Sequence, residues 1–106
     1  MRAQQLNRQL TLQHQTTGTN AQSEPISVPA DEATLWAAIR GPLNGREAER
    51  AGVSLAEQPV EIYTRYRTDV TPEKQLTDGT TVYLIRSVVD PDGRRRELRI
   101  LAVVRS

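Results

Sequence analysis

A chain of 106 residues in which 14 Lys plus Arg face 13 Asp plus Glu, with 37% hydrophobic and 25% charged residues and a net charge of +1, has material for one core and not for two. At this length roughly two-thirds of the unfolded surface can be buried. No apolar run approaches the roughly 20 residues that span a bilayer, and Met1-Arg2-Ala3-Gln4-Gln5 leads into no apolar signal core, so the expectation is a soluble single domain over residues 1–106.

Without Cys there is no disulfide framework, thiolate nucleophile or cysteine-based zinc site, which fits a cytoplasmic life. His14 is the only His, which removes any metal or catalytic arrangement that needs a second imidazole. All the basic residues but Lys74 are Arg. Arg forms forked pairs with carboxylates and suits polar protein interfaces, but a GC-rich genome accounts for the bias by itself and is the preferred reading.

In chain order, Leu6 to His14 alternates apolar and polar residues and is predicted to be a half-buried strand. Gln15 to Pro29 is rich in Gly, Pro, Ser, Thr and Asn without a continuous apolar face, and is predicted to be a long mobile loop. A loop of that length is a candidate contact element, with Gly18 and Asn20 as its representatives. Asp31 to Arg40 admits both a helix, with Leu35, Trp36 and Ile39 on one face, and a strand covered on both faces. Gly41-Pro42 ends the element either way.

Asn44-Gly45-Arg46-Glu47 has the capping-box spacing that starts a helix, and the stripe Ala48, Ala51, Gly52, Leu55 predicts that it continues to Gln58-Pro59. Val60 to Arg67 alternates again, with Val60, Ile62, Thr64 and Tyr66 on one face. Thr68 to Thr77 is expected to be a connector or short edge strand, and Asp78-Gly79 a turn into the β-branched strand Thr80 to Val89. Asp90-Pro91-Asp92-Gly93 is the strongest turn signal of the chain. The returning strand, Arg95 to Arg105, places Leu98, Ile100, Ala102 and Val104 on one face. The predicted fold class is mainly β (α+β): a small antiparallel β-barrel of about six strands, one helix packed on it, and the long loop.

No phosphate loop, dinucleotide fingerprint, nucleophile elbow or metalloprotease motif occurs, so no enzyme, metal site or cofactor is implied. Asp90 and Asp92 are turn formers, and Glu47 and Glu49 favour the start of a helix. Arg94-Arg95-Arg96 is the densest basic run and is either a solvated hairpin tip or a contact for phosphates or an acidic partner. Tyr63 and Tyr66 lie on opposite faces of one strand and cannot form a stacking platform. Trp36, among Leu35, Ala37 and Ile39, is expected to anchor the core or an interface.

The ordered set Leu6-Asn7-Arg8-Gln9-Leu10-Thr11-Leu12-Gln13, Leu35-Trp36-Ala37-Ala38-Ile39, Pro42-Leu43-Asn44-Gly45-Arg46-Glu47, Thr64-Arg65-Tyr66-Arg67, Tyr83-Leu84-Ile85, Asp90-Pro91-Asp92-Gly93-Arg94 and Glu97-Leu98 resembles the phage head-tail joining proteins, also called head-closure or head-tail adaptor proteins of tailed phages and prophages. The resemblance implies a small β-barrel with Asp31 to Arg40 as a strand, no enzymatic activity, and a virion structural role. It further implies a ring at the head-tail connector, between a portal or adaptor protein and a tail-completion protein. Such a ring closes the DNA-filled head and lets DNA pass without specific binding; before assembly the chain would reside in the host cytoplasm. Within that reading Arg46, Glu47, Arg65 and Arg67 are candidate contacts between copies or with partners. Two alternatives remain open: a small OB- or SH3-like barrel binding single-stranded nucleic acid, and a tail-completion or neck protein of the adjacent layer.

Overall fold

The structure, a computed structural model, describes residues 6–105. It contains strands β1 (Arg8–Thr19), β2 (Pro25–Arg40), β3 (Pro59–Arg65), β4 (Gln75–Thr77), β5 (Val82–Val89) and β6 (Glu97–Arg105), with a seven-residue helix α1 (Gly45–Ala51) and a 3-10 turn (Leu55–Glu57) between β2 and β3. All six strands pair antiparallel, and the sheet closes on itself in the order β1-β2-β3-β6-β5-β4.

Alternation determines what the ring encloses. Leu10 and Leu12 of β1, Leu35 and Ala37 of β2, Ile62 of β3, Leu76 of β4, Ile85 of β5, and Leu98, Ile100 and Ala102 of β6 point inward and form one cluster. Each is at a position where period two puts side chains on the same face. Fully burying a Leu or Ile contributes about 1.5–3 kcal/mol, so this interior row is the main source of stability. Buried Thr64 does not break it, because its hydroxyl donates to the Arg65 carbonyl at 2.9 Å.

Asp31 to Arg40 is a strand, and it carries the first correction. Leu35 and Ala37 face the interior, so Trp36 between them faces out and is 55% exposed. Trp36 is therefore not a core anchor. The second correction concerns Gln15 to Pro29, which is not a loop. Gln15, Thr16, Thr17, Gly18 and Thr19 pair in register with Pro29, Val28, Ser27, Ile26 and Pro25, leaving only residues 20–24 as a turn. Pro25 and Pro29 are tolerated because β3 joins β2 only at Ala37 to Arg40, so further out β2 is an edge that needs no N–H donors. Sixteen residues at about 3.3 Å each give β2 a length of roughly 50 Å, which matches the long dimension of a molecule measuring 51 × 28 × 22 Å. The outer part of the β1–β2 hairpin is thus an arm projecting from the barrel.

The third correction is the length of the helix. Asn44 caps it as expected: its side chain accepts from the Glu47 N–H at 2.9 Å, and the Glu47 carboxylate accepts from the Asn44 N–H at 3.2 Å. Gly52, however, takes the left-handed conformation at φ 75° and its N–H bonds back to the last turn, which ends α1 there. Leu55 consequently lies outside the helix and is 52% exposed. Gly41 allows the chain to leave β2 at φ 143°, where a Cβ would lie 3.0 Å from Val60 Cγ1 and 3.2 Å from the Val60 Cα. β4 is short, as expected, but it is not an edge, because it pairs with β1 on one side and β5 on the other.

Two substitutions test the inside-outside assignment of β6 and β2 by urea unfolding. Ile100→Ala, at a fully buried position, should lower stability by about 2–5 kcal/mol. Trp36→Ala should change it by no more than about 0.5 kcal/mol, as at an exposed site; a loss of core size there would contradict the outward orientation.

Candidate functional site

The arm is the most conspicuous surface feature, and polar networks on both sides of its root hold it to the barrel. Between Leu12 opposite Ala33 and Gln13 opposite Asp31, Glu32 is an extra residue in β2, a bulge that bends the strand where the arm departs. The Glu32 carboxylate receives Lys74 Nζ at 2.8 Å and lies 3.0 Å from His14 Nδ1. Lys74 also donates to the Asp69 carbonyl at 2.6 Å. On the other side, nearly buried Gln75 donates to Gln13 Oε1 at 2.8 Å and accepts from Gln15 Nε2 at 3.3 Å. Gln13 donates onward to Asp31 at 2.8 Å, and Ser27 donates to Gln15 Oε1 at 2.9 Å. β1, β2 and β4 are thus tied by one chain of side-chain hydrogen bonds at the level where ring pairing stops.

Beyond that level the arm is polar and mostly exposed, with Ile26 39% exposed and Val28 against Gly18 as its apolar contact. Asn20 closes the tip: its Oδ1 accepts from the N–H groups of Gln22 at 2.9 Å and Glu24 at 3.0 Å. Gly18 and Asn20 therefore belong to a shaped hairpin, Gly18 in its paired part and Asn20 in its turn.

A second cluster secures the start of α1. Arg40 donates to Glu47 at 2.7 Å and also to Glu61 of β3, while Arg99 of β6 stands 3.8 Å from the far oxygen of Glu61. The Arg40 side chain, followed by the Asn44 N–H, holds the Glu47 carboxyl below the ordinary glutamate range, and the two carboxylates push Arg40 up. At the 3-10 turn, Arg86 donates to Glu57 at 2.8 Å. Arg86 is itself the extra residue of a bulge, since Ile85 faces Ala102 and Ser87 faces Leu101.

The candidate contact residues fall into two groups. Arg46 and Glu47 are on α1, and Arg65 and Arg67 are at the opposite end of the barrel, where β3 leads toward the 90–96 hairpin. Glu47 is engaged by Arg40, and Arg67 forms a forked pair with Asp69 at 2.8 and 2.9 Å, which holds the Asp69 carboxyl down. Arg46 and Arg65 enter none of the ion pairs of the described residues. Arg65 and Leu6 flank Trp36 on the outer face of the sheet.

Arg94, Arg95 and Arg96 form an exposed tip whose backbone is fixed by the turn acids. Asp90 accepts from the Gly93 and Arg95 N–H groups, and Asp92 from the Arg94 N–H, at 2.9–3.1 Å. Asp90 and Asp92 thus serve the turn. Among the described residues no three His, Asp or Glu side chains converge as metal ligands, and no helix is long and apolar enough to cross a membrane. An open polar groove beside β1 is lined in part by Thr11, Thr34, Asp31 and Asp78, and by no cationic side chain.

The glutamine network and the two charged bulge residues were not identified as site residues from sequence. The visible signal is Gln13 and Gln15 two apart on one strand face; their partner Gln75 is 60 or more positions away.

The sequence model of a family described as phage head completion protein matches residues 1–105. The solution structure of a protein from Shigella flexneri 2a is similar, with 28% identity, a TM-score of 0.70, and coverage of 92% of this chain and 91% of that one. A chain of the virion of a native gene transfer agent particle shares the fold at 17% identity, with a TM-score of 0.63 and 94% of each chain covered. No curated protein matches the sequence.

Two measurements test these networks. Glu47 and Asp69 have depressed values in the fold, so the unfolded chain takes up more protons as acid is added. Their stabilisation is complete above the ordinary values of 4.5 and 3.8 and is lost as the pH falls through the lower folded values. Urea midpoints should therefore decline below about pH 4.5, and Glu47→Gln should remove part of that decline. An unchanged acid limb in the variant would count against the Arg40–Glu47 link. Asn44→Ala should cost about 1 kcal/mol through loss of the cap.

Proposed function

The chain belongs to the phage head completion protein family, and from this premise we propose that it is a virion structural protein forming a ring at the head-tail connector. The ring closes the DNA-filled head and offers the tail a docking surface. Residues 1–106 act in it as one domain, first in the host cytoplasm and then in the virion. Its partners are further copies of itself, a portal or adaptor protein on the head side and a tail-completion protein on the tail side.

The observation that carries the reading is mechanical. A closed barrel bears a hairpin arm whose root is hydrogen-bonded on both sides, so the arm holds a defined direction relative to the body. A two-stranded hairpin is marginal alone, and one this exposed is suited to lie against other chains or line a passage. The work is geometric rather than catalytic. A net charge of +1 suits a DNA conduit, because a strongly basic lining would retain DNA through its phosphates. The similarity to a gene transfer agent virion chain supports the same role.

Contacts between copies would use Arg65, which has no ion pair among the described residues. The Arg94–Arg96 tip favours a second reading, contact with DNA phosphates, because its guanidinium groups are exposed beyond a rigid turn. Replacing the three by Ala should weaken low-salt DNA retention in a filter-binding titration if that reading is correct; unchanged retention dismisses it.

Particles assembled without this chain should show, by electron microscopy, heads that have lost DNA and unattached tails. Filled heads with tails would refute the role. Arg65→Ala should slow ring assembly followed by light scattering with the partner complex, and an unchanged time course would remove Arg65 from the interface.

A further inference from the structure

We propose that in the assembled particle the free edge of β1 at Gln15, Thr17 and Thr19 takes an extended segment of a different protein chain as an added strand, an inference that rests on the virion role and ring argued above. Beyond its root the arm is only two strands wide. β4 pairs with β1 at Thr11 to Gln13 and no further, and β3 pairs with β2 only at Ala37 to Arg40. Among the described residues each strand of the arm therefore has one paired edge and one free edge.

The turn determines which backbone groups face outward. The Asn20 N–H donates to the Glu24 carbonyl at 3.0 Å, and the register runs without a shift from Thr19 opposite Pro25 to Gln13 opposite Asp31. Hydrogen-bonded and non-hydrogen-bonded pairs alternate along an antiparallel ladder, so Thr19–Pro25, Thr17–Ser27 and Gln15–Pro29 are of the second kind, with N–H and C=O groups pointing out of the ladder. The two edges are unlike in consequence. On β2 two of these three positions are proline and have no N–H to offer, a device that keeps an edge from pairing. On β1 all three carry both a donor and an acceptor, and all three residues are exposed.

That pattern selects the occupant. A donor and an acceptor recurring every second residue, roughly 7 Å apart, match another extended polypeptide backbone. Nucleic acid does not fit, because Glu24 is the only charged residue between positions 15 and 30, and the arm offers phosphates no cation. A second copy fits poorly as well. The longest free edge it presents is that of β2, where Pro25 and Pro29 withhold donors, and the free part of β5 is short and follows the bulge at Arg86. Pairing β1 with β1 is a twofold contact, which closes at two copies and cannot continue around a ring. The added strand is thus supplied by a neighbouring protein of the particle, beside the arm in the line of β4.

Hydrogen exchange tests this on the full chain. Between the purified chain and the assembled particle, the peptide covering residues 13–20 should gain up to about three slowly exchanging amides, whereas the peptide covering residues 25–31 should gain none. No gain in the first peptide, or an equal gain in both, overturns the proposal. Thr17→Pro removes an outward N–H from the β1 edge and should reduce the chain retained in particles about tenfold, while the circular dichroism of the purified chain stays unchanged. Thr17→Val and Ser27→Pro leave the backbone of that edge intact and should retain wild-type amounts; Thr17→Pro retained equally well overturns the proposal. Because the chain has no Cys, a benzophenone attached to the single thiol of the Thr17→Cys variant identifies the neighbour without relying on the proline variant. Irradiated particles should yield a linked peptide of a different protein by mass spectrometry; linkage to a second copy or to DNA overturns the proposal. Particles that contain the chain but show neither protection nor linkage overturn the edge contact and leave the virion role standing, whereas particles that lack the chain overturn both.

Discussion

Three residues, Gln75 to Thr77, make the difference between a curled sheet and a closed one. β4 is the only strand that pairs with both β1 and β5, and its middle residue, Leu76, is fully buried among the inward side chains of the ring. Without it the sheet would have two free edges along the core, each with unpaired backbone groups exposed to water and to other chains. Closure also turns alternation into an inside and an outside. Once β1 and β5 are joined through β4, Leu10, Leu12, Leu98, Ile100 and Ala102 are interior, while Gln9, Thr11, Arg99 and Leu101 between them lie on the outer face.

Two strands of the ring each carry a charged residue inserted as a bulge. Glu32 stands where the arm leaves and gathers Lys74 and His14; Arg86 stands beside the α1 segment and holds Glu57. These ion pairs are partly exposed, and each contributes little to global stability. Their effect is positional. They orient appendages whose own apolar burial is slight: Ala48 is the only buried residue of α1, and the 3-10 turn has none. The arm and the α1 segment lie at opposite ends of the barrel.

The surfaces of the body are otherwise largely self-satisfied. Arg40, Arg67 and Arg86 are spent on carboxylates of the same chain, and Asp90 and Asp92 on the backbone of their own turn. Of the groups left over, Trp36 with Arg65 stands at the same end as the Arg94–Arg96 tip, since Arg65 pairs with Glu97, whereas Arg46 and Glu49 stand on α1 at the other end.

The sequence by itself determined what depends on near neighbours along the chain. The inward row of β3 and β6, the Asn44–Glu47 cap and the Asp90–Gly93 turn follow from side-chain parity and from hydrogen bonds spanning five residues or fewer. The ordered motifs likewise carried the family. Tertiary structure alone decided what depends on distant partners. Gln15 to Pro29 reads as loop because its pairing is with itself across a turn of polar residues, and its root is held by Gln75 and Lys74, far along the chain. Parity states that Trp36 and Leu35 point opposite ways but cannot say which way is in; that was settled by which face of β2 the closing ring enclosed. The helix stopped at Gly52 because a left-handed cap there competes with continuing to Leu55, and the small residues of that stripe offer too little apolar burial to outweigh it.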